Sequence, residues 1–201
     1  MIPIPINLAT EDELSETVLL KILKHLNRFA VGNCYRRGGY GYLRKTINGW
    51  NGAARGIPFV LLTDLDDCEC PQKLLETWLS TPRHPNLLFR VAVREVESWL
   101  LADRENFSKF LGINERFIPV ETDLLSDPKK TLIEVASNSR TKRIRESVVP
   151  KPGSTAKQGP DYNACLAQFI QRDWNIIAAG KQSPSLSRTI ARLAAFNPIW
   201  D

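Results

Sequence analysis

Carboxylates gather at three places in the chain: Glu11, Asp12 and Glu16; Asp64, Asp66 and Asp67; and Glu95 with Glu97. Each group follows closely on an apolar run that reads as a β-strand. Ionised carboxylates held close together repel one another unless a divalent cation lies between them. All-oxygen donor sets of this kind suit Mg²⁺, Mn²⁺ or Ca²⁺ rather than zinc or copper. In extended chain, residues two apart point to the same side, so Asp64 and Asp66 are expected to face one ion. Glu11 on a strand-to-helix turn and Glu16 in the first turns of the helix are expected to look into the same place. Other acids have plainer uses. Asp12 and Glu13 suit helix capping, Asp67 and Glu69 suit a helix start or the surface, and Glu95 suits an ion pair with Arg90 or Arg94.

A cation held there would polarise a phosphate, orient an attacking hydroxide and stabilise the leaving oxygen. A lysine or arginine beside it would stabilise charge in the transition state. Lys129 and Lys130, in Asp127-Pro128-Lys129-Lys130, are the candidates, Lys130 foremost, with Arg36 and Arg37 as alternatives.

The formal charge of +5 is unevenly spread. From Arg36 to Arg55 there are five basic residues and no acid, and from Lys129 to Lys157 eight basic residues against Glu134 and Glu146. Cationic stretches among anionic clusters suit a polyanion such as DNA or RNA, with Arg36, Arg37, Lys129 and Arg143 as expected phosphate contacts. The loop Arg36-Arg37-Gly38-Gly39-Tyr40-Gly41 has glycines that admit phosphate oxygens to the backbone. It lacks the Gly-Lys-Ser/Thr of a Walker loop, which argues against nucleoside triphosphate hydrolysis. Tyr40 and Tyr42 either stack on bases or pack against the sheet.

Other chemistries have little to stand on. His25 falls in a helical pattern and His84 in a proline-flanked loop. The four cysteines are too few and too scattered for a disulfide framework. The Cys68-Glu69-Cys70 gap is too short for a usual zinc half-site, so reduced structural thiols are expected. No apolar stretch reaches the roughly 20 residues of a membrane span, and the start lacks signal-peptide features, so a cytoplasmic location is expected.

The elements that must position these residues alternate between strand and helix. Strands are expected over residues 2–8, 29–35, 57–63 and 87–93, although Pro3 and Pro5 count against the first. Helices are expected from Thr10 or Asp12 to Leu26, from Tyr42 to Ala54, from Gln72 to Trp78 after Pro71, and from about Arg94 to Leu101. Such alternation predicts an α/β fold with a mainly parallel sheet flanked by helices. Its strands' carboxyl ends gather on one edge, where ligands bind. Beyond Asp103, helices are expected over residues 107–111, 128–137, 141–148, 162–172 and 186–195, with residues 151–160 as the most loop-like stretch. The expected organisation is a metal-site α/β domain over residues 1–105 and a helical extension over 106–201 packed on it.

A glutamate after the first strand (Glu11) and Asp64-x-Asp66 after a later hydrophobic strand resemble the TOPRIM domain of topoisomerases, primases, recombination proteins and overcoming-lysogenization-defect (OLD) nucleases. Glu95-Val96-Glu97 with Trp99 is similar to an element of small TOPRIM-like proteins from bacterial anti-phage and mobile-element loci. Residues 1–105 carry the resemblance. Where many members have Glu-Gly, this chain has Glu11-Asp12.

The resemblance implies a TOPRIM-like fold and a Mg²⁺- or Mn²⁺-dependent phosphodiester hydrolase, a nuclease in phage defence. Glu11, Glu16, Asp64, Asp66, Glu95 and Glu97 are the expected metal ligands. Glu11, Asp64, Asp66 and Lys130 are the expected catalytic set, with Glu11 as second ligand or general base. DNA or RNA is the expected partner, with a partner ATPase as an activator, no membrane, and an oligomer left open. Two other readings stand beside it: a non-catalytic TOPRIM-like module binding nucleic acid or a partner, and a small-nucleotide phosphohydrolase.

Overall fold

Residues 59–64 (Phe59-Val-Leu-Leu-Thr-Asp64) form a strand whose first five residues are buried. That is the pattern of a parallel strand covered on both faces. The computed structural model describes residues 2–200. They divide into two units, one of residues up to 93 together with 188–200 and one of residues 94–187.

The first unit holds strands β1 (Ile4–Thr10), β2 (Phe29–Tyr35), β3 (Phe59–Asp64) and β4 (Leu87–Ala92), joined by helices α1 (Glu13–Leu26), α2 (Gly39–Ala53) and α3 (Pro71–Trp78). The four strands are all parallel, in the order β2-β1-β3-β4. The fold is therefore α/β, a parallel sheet flanked by helices, as the alternation predicted. Parallel crossovers are right-handed, so reversing the direction of travel after β2 sends α1 and α2 to opposite faces. Side-chain alternation agrees. Ala9, Phe59, Leu61, Leu87, Phe89 and Val91 join Trp50 of α2 and Trp78 of α3 in one cluster. Ile6, Leu8, Val60 and Leu62 are buried on the opposite face, where α1 brings Leu14, Val18, Leu19 and Ile22.

Pro5 sits in a central strand at no cost in pairing. The Ile4 N–H donates towards β2, and pairing with β3 begins only at Asn7. The donor Pro5 lacks would thus point where no partner strand lies. Asn7 is buried because its Oδ1 accepts the Asn33 N–H (2.9 Å) at an irregularity in the β1–β2 register. A side chain on Gly32 would come within 2.7 Å of that oxygen, which is why the smallest residue stands there.

In the second unit lie α4 (Glu97–Leu101), α5 (Arg104–Leu111), α6 (Pro128–Ser137), α7 (Lys142–Val148), α8 (Tyr162–Arg172) and α9 (Ile176–Gln182), then the start of α10 (Pro184–Ala194). Trp99 of α4 is fully buried; its indole N–H donates to Ser185 Oγ (2.7 Å), and its carbonyl accepts the Trp174 indole N–H (3.2 Å). Phe107 and Phe169 meet edge to face at 5.0 Å. No helix was expected over Ile176–Gln182, where adjacent apolar residues show no helical period.

The division after Val93 differs from the boundary expected at 105/106, for two reasons. Trp99 ties α4 to other helices of the second unit. The chain end, instead of staying with the helices, returns to the sheet unit. Asn86 exchanges two hydrogen bonds with the Ile199 backbone (2.7 and 2.9 Å), and the Arg28 guanidinium donates to carbonyls of Ala194 and Phe196 at the end of α10.

Candidate active site

β1 and β3 are adjacent parallel strands on either side of the point where the chain reverses its travel across the sheet. Open α/β sheets bind ligands at the carboxyl ends of such a pair. Here those ends carry Glu11, directly after β1, and Asp64, the last residue of β3. Glu11 Oε1 accepts the Asp64 backbone N–H at 3.0 Å and also a hydrogen bond from the Thr63 hydroxyl. The Leu65 N–H donates to Ala92 O (3.0 Å), continuing the β3–β4 ladder, and Leu65 is buried.

Asp66 does not continue the strand. Its φ of 47° lies in the left-handed region, one of two such non-glycine residues among those described. The extended chain assumed for Asp64-x-Asp66 therefore ends before Asp66, and a turn, not strand alternation, sets the direction of its carboxylate. Left-handed backbone costs energy in any residue with a side chain, though aspartate tolerates it better than most.

Electrostatics mark the same residues. Burial pushes the Glu11 carboxyl up from its ordinary range, and the charges of Asp66 and Asp12 add to the rise; the bonds from Thr63 and Asp64 N–H oppose it. Burial likewise raises Asp66, helped by the neighbouring Asp67 charge. Such conditions favour an added cation.

Donor chemistry fits a hard divalent ion, since Glu11, Asp64 and Asp66 offer only oxygen. Among the described residues, however, no group of three or more His, Cys, Asp or Glu side chains stands ready to hold one.

Other expected residues are differently employed. Asp12 caps α1, its Oδ1 accepting the Ser15 N–H (2.8 Å), the role that short acids take at a helix start. Glu16 pairs with Arg36 at 3.4 Å, and Arg37 is exposed. The glycine loop is short, for α2 begins at Gly39 after Gly38 with φ 81°. Both tyrosines pack on tryptophans, Tyr40 edge-on to Trp78 (5.0 Å) and Tyr42 edge-on to Trp50 (5.7 Å), so the packing alternative holds for them. The thiols are all free; Cys70 caps α3 by accepting the Lys73 N–H.

Glu95, Glu97 and Lys129 belong to the second unit and form a cluster there. Glu97 is buried, accepts the Tyr162 hydroxyl at 2.9 Å and lies 3.8 Å from Lys129 Nζ. Lys129 also sits over the Tyr162 ring, and its backbone N–H donates to Glu95 Oε2 (2.8 Å). Burial raises the Glu97 carboxyl to about 7, against the pull of Lys129 and with the push of Glu95. Lys130 is exposed, so the lysine beside these carboxylates is Lys129. Successive helical residues point about 100° apart, so only one of the two can face inward. Arg143 lines a cleft of about 950 Å³ together with Lys142, Arg145 and Lys151.

Thr63 and Tyr162 were not anticipated. A signal existed for each: a threonine closing an aliphatic buried strand, and a tyrosine on the apolar face of a helix, must both find partners for their hydroxyls. Among the described residues no helix is long and apolar enough to cross a membrane. Compared with known proteins, the chain matches no family model, no curated protein and no solved structure.

Proposed function

We propose that this protein is a divalent-metal-dependent phosphodiester hydrolase, a nuclease acting on DNA or RNA, with Glu11, Asp64 and Asp66 as its working carboxylates. The observation that carries the reading is the juxtaposition of Glu11 and Asp64 at the β1/β3 switch point, closed by the 3.0 Å hydrogen bond between them. The raised carboxyls of Glu11 and Asp66, and the left-handed backbone at Asp66, support it. The all-parallel sheet accords with the TOPRIM-like resemblance of the strand-end acids.

Asp64 and Asp66 would hold Mg²⁺ or Mn²⁺, with Glu11 as a further ligand. The ion would supply Lewis acidity towards a phosphate oxygen and lower the pKa of bound water. Glu11 is pre-positioned by Thr63 and the Asp64 N–H, so its carboxylate needs no reorganisation to accept a proton. Arg36, Arg37 and Arg143 would bind phosphates of the strand, and the free thiols suit a reducing cytoplasm. A role in phage defence, with a partner ATPase, extends the same resemblance.

A second reading, a non-catalytic nucleic-acid- or partner-binding module, draws support from the lack of a ready three-ligand group among the described residues. One experiment separates the two. Labelled DNA and RNA are incubated with wild type, Asp64→Ala and Glu11→Gln, in Mn²⁺, in Mg²⁺ and in EDTA. The nuclease reading expects cleavage by wild type that EDTA and both substitutions abolish while the circular dichroism spectrum is unchanged. Binding without cutting under every condition would leave the module.

A further inference from the structure

Two arginines at β4, Arg83 and Arg90, and two on α10, Arg188 and Arg192, far along the chain from the first pair, come together in the sheet unit, and the charges acting on Arg90 there are all arginines. Arg90 projects from the middle of edge strand β4, on the face opposite the Trp50–Trp78 cluster. Arg83 lies just before β4, its guanidinium donating to Leu87 O at 2.9 Å. Arg188 and Arg192 stand one turn apart on α10, exposed and on the same side of the helix. The Arg28 hydrogen bonds to Ala194 and Phe196 carbonyls fix the end of that helix on the same unit. Like-charge repulsion from Arg83, Arg192 and Arg188, added to burial, holds the Arg90 guanidinium down at about 10. Arg192 also bears on Arg83.

The cluster is unsatisfied in a second way. Among the described residues none of the four pairs with a carboxylate. Among the described residues the buried Arg90 Nε–H also has no hydrogen-bond partner. Buried donors without partners are rare in folded proteins and mark the place of an ion or water. Concentrated guanidinium charge around such a donor selects an anion, and the planar fork of arginine matches phosphate oxygens two at a time.

We propose that Arg83, Arg90, Arg188 and Arg192 form a binding site for a phosphate group, with Arg90 at its base and Arg188 and Arg192 at its rim. The group comes from a nucleic-acid strand or from free phosphate. The strand as its source rests on the nuclease reading, whereas the phosphate chemistry does not.

The test is binding without metal, so that it reports on this site whether or not the protein cleaves. Wild type, the rim variant Arg188→Glu/Arg192→Glu and a control, Lys73→Glu/Lys109→Glu, are titrated in EDTA with a labelled single-stranded oligonucleotide and with its duplex. The control makes the same change in charge at two exposed, ion-paired lysines. A strand-bound site expects the rim variant to lose at least ~10-fold in affinity and the slope of log K against log salt to flatten by about 1.4–1.8, as for two lost phosphate contacts. The control should stay close to wild type.

In parallel, inorganic phosphate is added during thermal unfolding. Protection of wild type and the control but not of the rim variant, with oligonucleotide affinity unchanged, assigns the site to free phosphate. Equal losses in rim variant and control would reduce the effect to net charge and overturn the site. So would a rim variant that matches wild type towards both ligands.

Discussion

The Asp64 backbone N–H donates to Glu11 Oε1 at 3.0 Å, fastening the loop after β1 to the last residue of β3. The bond is made by the main chain of one acid and the side chain of the other, so it joins the two residues without drawing on the Asp64 carboxylate. The Thr63 hydroxyl strengthens the hold on Glu11. Substitutions at these positions therefore separate the structural part of Glu11 from its charge.

Glu11→Gln keeps an oxygen that accepts both hydrogen bonds and removes the charge. It should fold with nearly wild-type stability in urea denaturation while metal-dependent cleavage falls by ~100-fold or more. Thr63→Val is the converse case. Loss of one donor to a largely buried carboxylate should destabilise the protein by about 1–2 kcal/mol.

Backbone strain at Asp66 gives an ordered series. With φ at 47°, glycine and asparagine are tolerated and alanine is not. Asp66→Gly and Asp66→Asn should therefore be more stable than Asp66→Ala by roughly 1 kcal/mol. All three should lose metal-dependent activity alike, since none retains the carboxylate. An alanine variant as stable as glycine in thermal melts would refute the strained turn.

Stability of the second unit should depend on pH through Glu97. Its carboxyl is raised from 4.5 to about 7 in the folded protein, mainly by burial. The folded state therefore binds this proton more tightly than the unfolded state does. The associated stability is fully present below about pH 4.5 and is lost as pH rises through about 7. Urea midpoints measured across that range should fall with pH in wild type and fall less in Glu97→Gln. Tyr162→Phe removes the hydroxyl that donates to Glu97. It should destabilise by about 1–3 kcal/mol above pH 7, where the carboxylate is charged, and by less at pH 5.

Adjacent lysines should behave unlike each other. Lys129→Met removes the cation beside buried Glu97 and its contact with the Tyr162 ring, and should destabilise by roughly 2 kcal/mol or more at neutral pH. Lys130→Met changes an exposed side chain and should stay within about 0.5 kcal/mol of wild type. Equal effects from the two would contradict the helix phase.

Local pattern carried much of the architecture. β2, α6 and α8 fall where the sequence puts them, because apolar periodicity and Pro or Gly punctuation act over a few residues. The same holds for Asp12 as a cap and for acids at strand ends. Strand order, however, depends on which runs pair, and Glu11 meets an N–H donor 53 residues further on. A period of two could not reveal that Asp66 leaves the strand, nor a run of two lysines which one faces Glu97. The return of residues 188–200 to the sheet unit, which brings Arg188 and Arg192 to Arg90, leaves no mark in any short window. Periodicity registers only neighbours along the chain, whereas burial, strand order and the meeting of like charges arise from contacts across it.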